Sequence, residues 1–344
     1  MNTDNKKTDK NKIRAGVVGA GLMGLWHAHA AEKVGGKVVA VFDVRKTNAD
    51  SLAAKYSNAK SFDNLEKMLA VSPSVLHVCT PTETHKKIAE IAIKAGVNLL
   101  IEKPIVQTAE ETASLYKLAS HHKVLLCPVH QFVFQDGVIN AKKLLPQIGR
   151  IVHLQANICS AGGTGLDSNQ IDTIAADILP HPLSLMQTFL GDDLTTEDWN
   201  SFRPNNGELR VSGKARETSL GIFVSLNSRP TFNSFQIFGT DGTIHLDLFH
   251  GYSIIESGKT SKTRKILHPF DLALRNFSAA TLNLGRRSLR GESAYPGLRR
   301  LIDEFYQAIK DGKPSPITSA EAIAVAQIRD ILVKGACSEL RLEA

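Results

Sequence analysis

The sequence predicts an α/β protein: a doubly wound parallel sheet first, then an α+β domain built on a mostly antiparallel open sheet. Three observations carry this expectation. Short β-branched runs alternate with helix-like stretches through residues 13–127, a glycine turn joins the first run to the first helix, and beyond residue 148 strands follow one another with short turns.

Residues 13–18 are a compact strand run, followed at once by Gly19-Ala20-Gly21-Leu22-Met23-Gly24 and a helix over 25–34. This is G-x-G-x-x-G between a strand and a helix, the context in which it marks a dinucleotide site. The first glycine permits the turn, the second admits a pyrophosphate, and the third lets the helix pack closely; Leu22 and Met23 lie within the loop. The next strand, 37–42, ends at Asp43, where a carboxylate can accept from both ribose hydroxyls. That favours NAD. Arg45, which could hold a 2′-phosphate, leaves NADP possible, although a solvated turn charge explains it as well.

The alternation continues with helices over 48–56 and 64–70, a strand over 74–79, a helix over 83–95, a strand over 97–101, a helix over 108–122 and a strand over 124–127. Thr80 and Pro81 follow a strand tip and His85 lies on the next helix, so these three are expected beside the nicotinamide half of the cofactor; Thr82 reads equally as that helix's cap. The strand 97–101 runs into Glu102-Lys103-Pro104. Proline cannot extend a hydrogen-bond ladder and keeps the residue before it extended, so Lys103 is fixed at the carboxyl end of a strand, where ligands bind in open α/β sheets.

In the second half, a helix over 137–145 precedes strands over 149–160, 208–215, 219–227, 233–239 and 243–249, with Asp241-Gly242 as a hairpin turn. Helices return over 296–310 and 320–335. Asp177 and His181 are four residues apart, and a carboxylate beside an imidazole suits general acid–base chemistry, but Pro180 and Pro182 fit the entry to a helix over 183–190 and leave Asp177 in the turn before it. An ordinary structural hydrogen bond accounts for the pair equally.

With 344 residues the chain has room for two domains. We place a polar disordered tail over 1–12, a dinucleotide-binding domain over 13–130 and a substrate-binding and oligomerisation domain over 131–335. The tail has no apolar core, so neither a signal nor a transit peptide is expected, and no run reaches membrane-spanning length. Cys79, Cys127, Cys159 and Cys337 form no C-x-x-C pair, which fits a reducing cytoplasm; no metal-ligand cluster is evident. The net charge of +7 is local: residues 259–300 hold ten Lys or Arg against Asp271 and Glu292, a net +8 that leaves −1 elsewhere. That distribution argues against nucleic-acid binding. A solvated face, a phosphate site using Arg275, Arg286, Arg287 or Arg290, and a contact with anionic lipid are the readings it leaves, with Phe270, Leu274 and Phe277 expected on a helix over the pocket.

Together, Gly19-x-Gly21-x-x-Gly24, Glu102-Lys103-Pro104 and Asp177-x-x-x-His181, with the turn Phe238-Gly239-Thr240-Asp241-Gly242-Thr243, resemble the glucose-fructose oxidoreductase / inositol dehydrogenase / MocA family from residue 13 to about 332. The resemblance implies an N-terminal Rossmann domain and a C-terminal open sheet that mediates homodimers or homotetramers. It implies hydride transfer between NAD, or NADP, and a secondary hydroxyl or ketone of a sugar, cyclitol or related polyol, phosphorylated or nucleotide-linked sugars included. Glu102 and Lys103 would border the cofactor, Lys103 would bind the reacting oxygen, His181 would exchange its proton and Asp177 would orient His181. Two departures concern the substrate: Ser184 stands where an aspartate is frequent, and the segment from His130 and Gln131 lacks an arginine. Redox-neutral elimination or glycoside hydrolysis with the same cofactor, and a non-enzymatic dinucleotide-binding regulator, are the alternatives.

Overall fold

The computed structural model describes residues 12–163, 165–191, 194, 197–258, 262–292 and 294–338, with the side chains of 262–265, 337 and 338 outside that description. Residues 1–11 of the expected tail over 1–12, and the Cys337 side chain, therefore fall outside the described residues.

The first sheet is built by β1 (Arg14–Val18), β2 (Lys37–Phe42), β3 (Lys60–Phe62), β4 (Val75–Val78), β5 (Asn98–Ile101) and β6 (Leu126–Pro128). All its pairings are parallel, in the order β3-β2-β1-β4-β5-β6. Strand order reverses between β1 and β4, which opens the ligand crevice at the strands' carboxyl ends. The crossovers are α1 (Leu22–Lys33), α2 (Lys46–Ala53), α3 (Leu65–Leu69), α4 (Thr82–Lys94) and α5 (Ala109–His121). In α4, Ile88, Ala89, Ala92 and Ile93 recur at helical spacing and are buried, while lysines and glutamates take the outer face. The three-residue β3, too short and polar to show periodicity, was not anticipated. Thr82 begins α4 inside the helix; the capping position is Pro81, whose carbonyl accepts from Thr84 Oγ1 at 2.8 Å.

Past a 3-10 turn at Gln131–Phe134 come α6 (Asp136–Leu144), β7 (Ile151–Cys159), α7 (Ser168–Ile178) and α8 (Pro180–Leu190). Then follow β8 (Trp199–Phe202), β9 (Glu208–Ala215), β10 (Thr218–Ser225), β11 (Phe232–Gly239), β12 (Gly242–Asp247), β13 (Tyr252–Ser257) and the long α9 (Lys262–Arg290). The strands form a seven-stranded sheet ordered β13-β12-β11-β7-β10-β9-β8, antiparallel except where β7 meets β10. Thr218, Leu220, Ile222 and Val224 alternate inward along β10. They share a core with Leu183, Leu185 and Met186 of α8, and Phe189 of α8 stacks on Phe235 at 5.6 Å between centroids. Burying Phe235 completely contributes about 2–3 kcal/mol.

Two findings differ from the sequence reading. The helix entered by the two prolines starts at Pro180, and Asp177 lies within α7, which begins with a capping box of Asp167 and Gln170. The chain also divides into Met1–Val129 with Leu298–Ile323, and His130–Gly297 with Ala324–Ala344. The helix α10 (Leu298–Asp311) thus rejoins the first unit, because Leu301, Ile302, Phe305 and Tyr306 form one buried face, and Tyr306 fills space beside Gly36. The last helix, α11 (Ser319–Ser338), begins in the first unit and ends in the second.

Candidate active site

In the first unit the glycine loop fits a dinucleotide for reasons visible in the backbone. A side chain at Gly19, whose φ is +93°, would lie 2.6 Å from the Cys79 carbonyl oxygen, and one at Gly24 would lie 1.9 Å from that of Gly19. Nothing lies within 4 Å of the Cβ position of Gly21, so the loop is open where a pyrophosphate would approach. Helix α1 begins at Gly21 without a side-chain cap and without an acid in its first turn, which leaves its amide groups to an anion. Leu22 is exposed and Met23 half-buried beside them. Asp43 is buried at the end of β2; its Oδ2 accepts from the Ala20 amide and its Oδ1 from the Arg45 amide, both at 2.8 Å. Those bonds fix the carboxylate under the loop and leave lone pairs for ribose hydroxyls. The Arg45 side chain is exposed.

The residues after β4 divide into two groups. Thr80 and Pro81 stay at the strand's carboxyl end, where Thr80 Oγ1 accepts from Thr84 at 2.7 Å. His85 does not face the crevice. It is fully buried, with Nδ1 3.0 Å from the carbonyl oxygens of Pro104 and Ile105 and Nε2 2.7 Å from that of Thr80, so it ties the loops after β4 and β5 together. An imidazole on a helix face after a strand tip gave no sign of that inward turn.

Lys103, half-buried, follows β5, which lies two places from β1 in the same parallel sheet. At about 4.8 Å per strand the glycine loop and the lysine are roughly 10 Å apart along one sheet edge. Glu102 is buried next to it and accepts the Lys103 amide at 3.2 Å on Oε2. Its Oε1 lies 3.1 Å from His27 Nε2; His27 Nδ1 lies 3.0 Å from His77 Nδ1, and His77 Nε2 lies 2.7 Å from the Tyr306 hydroxyl. Burial raises the proton affinity of Glu102, but the hydrogen bond from His27 and the Lys103 charge outweigh it and hold the carboxyl below its usual range. Burial pushes His77 well below the usual imidazole range, with the nearby His27 adding to the effect. The carboxylate makes His27 Nε2–H the donor to Glu102, and the bonds from His27 through His77 to the Tyr306 hydroxyl continue one buried relay whose sense follows the ring tautomers. Nothing in the sequence reading assigns a role to His27, His77 or Tyr306. The available signal was His77 itself, a polar residue in the otherwise apolar strand Val-Leu-His-Val, which must find a partner when buried.

In the second unit His181 stands in the first turn of α8, buried, its ring stacked on Phe132 at 4.2 Å and 14°. It lines a cavity of about 550 Å³ together with Gln131, Asn233, His250, Arg287 and Tyr295. Gln131 lines this cavity, and His130 is buried one residue before. Ser184 is buried with its hydroxyl donating to the His181 carbonyl at 2.9 Å, so it serves the helix instead of the cavity. Arg275 lies on the exposed side of α9, bonded to Asp271 at 2.9 Å; Arg287, three turns on, is the arginine at the cavity, donating to the His250 carbonyl at 2.9 Å. Asp177 accepts from Arg329 of α11 at 2.7 Å, a partner the four-residue spacing did not reveal. Phe270, Leu274 and Phe277 do not cover the cavity; all three are exposed. No cluster of potential metal ligands occurs among the described residues.

Comparison with known proteins matches residues 13–130 to a family model described as an oxidoreductase family with an NAD-binding Rossmann fold, that of glucose-fructose oxidoreductase, inositol dehydrogenase and MocA. UDP-N-acetylglucosamine 3-dehydrogenase of Acidithiobacillus ferrooxidans is 34% identical over 147 residues, covering 39% of this chain and 46% of that protein. D-glucoside 3-dehydrogenase of Escherichia coli is 33% identical over 166 residues, covering 46% of this chain and 47% of that protein. The aligned region thus spans about half the length of these relatives. Over the whole chain the fold is shared with the solved A. ferrooxidans enzyme (TM-score 0.75, 20% identity, 96% and 99% of the two chains). It is shared as well with levoglucosan dehydrogenase in complex with NADH and levoglucosan (TM-score 0.78, 17% identity, 95% and 98%).

Proposed function

We propose, from the premise that residues 13–130 belong to the oxidoreductase family with an NAD-binding Rossmann fold, that the whole chain is an NAD-dependent dehydrogenase acting on a secondary hydroxyl of a sugar or cyclitol. The observation that carries the reading is the shared sheet edge: the glycine loop after β1 and Lys103 after β5 belong to one crevice of one parallel sheet. Gly19, Gly21 and the amides of α1 would hold the pyrophosphate and Asp43 the ribose. NAD, when bound, supplies the hydride acceptor. The Lys103 ammonium binds the substrate oxygen and stabilises the negative charge it gains as the carbonyl forms. The imidazole of His181 takes the proton from the hydroxyl oxygen, the carbinol carbon gives up its hydride to the nicotinamide, and the C–O bond becomes the ketone carbonyl. The reverse sequence reduces a ketone. The His181 cavity suits a carbohydrate, since Phe132 and Phe249 offer apolar faces and Gln131, Asn233 and Tyr295 offer hydrogen bonds.

The printed activities of the relatives, on UDP-N-acetylglucosamine and on D-glucosides, support a pyranose hydroxyl as the reacting group. A homo-oligomer and a reducing cytoplasmic setting accompany this reading, the latter in keeping with free thiols at Cys79, Cys127 and Cys159. Incubation with NAD and a panel of glycosides, cyclitols and nucleotide sugars, followed by absorbance of the reduced cofactor, tests it. Lys103→Met and His181→Ala are each expected to retain NAD binding and lose turnover roughly a hundredfold. Full turnover in either variant refutes the assigned role, and product without net reduced cofactor points to redox-neutral chemistry instead.

A further inference from the structure

The buried relay behind Lys103 joins elements that the sequence keeps far apart. His27 lies on the inner face of α1, the helix that the glycine loop opens, among the buried residues Gly24, Ala28 and Ala31. His77 stands within β4, and Glu102 follows β5, its amide donating to the Val78 carbonyl at 2.9 Å. The 3.0 Å contact between His27 Nδ1 and His77 Nδ1 fixes the His27 ring, so its Nε2 meets Glu102 Oε1 at 3.1 Å. The second carboxylate oxygen accepts the Lys103 amide at 3.2 Å. One carboxylate thus ties the helix of the cofactor loop to the residue that carries the ammonium.

Packing alone gives no reason for this set of polar groups. Taking a carboxylate out of water is costly, and buried polar sets of this kind are commonly no more stabilising than apolar side chains of the same volume. What the charge does is visible in its neighbours. Burial, and after it the Glu102 charge, pushes the Cys79 thiol just past β4 well up. Against the burial that raises it, the His27 hydrogen bond and the Lys103 charge hold the Glu102 carboxyl below its usual range. The negative charge therefore reaches the carboxyl ends of both β4 and β5, where ligands bind in an open α/β sheet. We propose that Glu102 and His27 are positioning residues for Lys103: Glu102 fixes the lysine's backbone and sets a buried negative charge within reach of its ammonium, and His27 holds that carboxylate in register with the cofactor loop. The proposal rests on the reading of Lys103 as the group that binds the reacting oxygen. Only the protonated amine can stabilise a developing oxyanion, and a fixed carboxylate nearby favours that form.

Trace acetylation of the whole chain with acetic anhydride at about pH 8, read peptide by peptide by mass spectrometry, tests it without any substrate, because the unprotonated amine is the form that reacts. Glu102→Gln keeps the shape and the contact with His27 but removes the charge; Lys103 acetylation is expected to rise roughly tenfold or more, while that of the exposed Lys60 stays unchanged. His27→Met, which fills the space without a donor, is expected to raise it at least roughly threefold, and His27→Gln, whose amide can still donate to Glu102, to stay within about twofold of the parent. On any polyol that the parent oxidises, His27→Met should lower kcat roughly tenfold and leave the Kd for NAD unchanged. Melting temperature reports whether each variant folds; if His27→Met does not, Glu102→Gln decides, since it removes the charge itself. Unchanged Lys103 acetylation in Glu102→Gln overturns the proposal, and so does an equal rise in His27→Met and His27→Gln, which would reduce the relay to packing. Acetylation shifted as expected in a protein that reduces NAD with no polyol removes the redox reading and leaves the positioning; turnover by the parent with acetylation unshifted in the variants does the reverse.

Discussion

Replacing Tyr306 with phenylalanine isolates the buried relay behind Lys103. The substitution removes one oxygen and leaves the ring, so packing beside Gly36 is kept. It also removes the donor 2.7 Å from His77 Nε2. His77 is fully buried and neutral, so its Nε2, whether donor or acceptor, is left without the hydroxyl partner. Leaving such a group unsatisfied costs roughly 1–3 kcal/mol. For a protein of this size each kcal/mol lowers the melting temperature by about 2–4 °C, so a central loss of about 2 kcal/mol predicts a drop of about 4–8 °C. If His77 instead changes tautomer to donate nowhere, it breaks its bond to His27, and the penalty moves along the relay without vanishing. Thermal and denaturant unfolding of the two proteins measure the loss. A change below about 0.5 kcal/mol would refute the buried hydrogen bond between Tyr306 and His77.

The remaining predictions follow from single geometries. Gly24→Ala places a methyl 1.9 Å from the Gly19 carbonyl oxygen, backbone that cannot move aside, so NAD affinity by calorimetry should fall at least roughly tenfold, with destabilisation of about 1–3 kcal/mol. Because the folded state depresses the proton affinity of His77 from its ordinary 6.5, the unfolded chain binds the extra proton first as pH falls below that value. Stability should then be level above about pH 6.5 and decline below it by up to about 1.4 kcal/mol per pH unit, with Glu102 adding a further loss below its ordinary 4.5; denaturant midpoints across pH measure this. Burial pushes the Cys127 thiol up to about 12, so iodoacetamide at mildly alkaline pH should leave it unmodified in the folded protein and react after unfolding, as peptide mass spectrometry would show.

The parallel sheet was legible because its signals are local. β1 and β2 are β-branched runs beside a glycine, and Asp43 sits where β2 must end, whereas the short polar β3 carries no such signal. The hairpin at Asp241-Gly242 appears for the same reason, with β11 and β12 on either side. What the sequence hid depends on long-range placement. Nothing near Asp177 announces Arg329, and nothing near His77 announces a tyrosine 229 positions later. Arg275 and Arg287 carry the same charge in the same segment; only the rotation of α9 decides that Arg287 meets the cavity. That rotation leaves Phe270 and Phe277 exposed while Asn283 and Arg287 bond the His250 carbonyl.

The return of α10 to the first unit bears on how the protein emerges from the ribosome. Leu301, Ile302, Phe305 and Tyr306 lie in the Leu298–Ile323 segment of a unit otherwise encoded before residue 130. At 5–20 residues per second, synthesis of the intervening stretch takes on the order of ten seconds, during which the nascent dinucleotide domain has an open apolar flank and His77 lacks its hydroxyl donor. The second unit closes later still, because its core takes Val325, Ile328 and Leu332 from the segment that follows. A chain cut after residue 130 would keep every cofactor-loop residue and still lack the segment that seals its core.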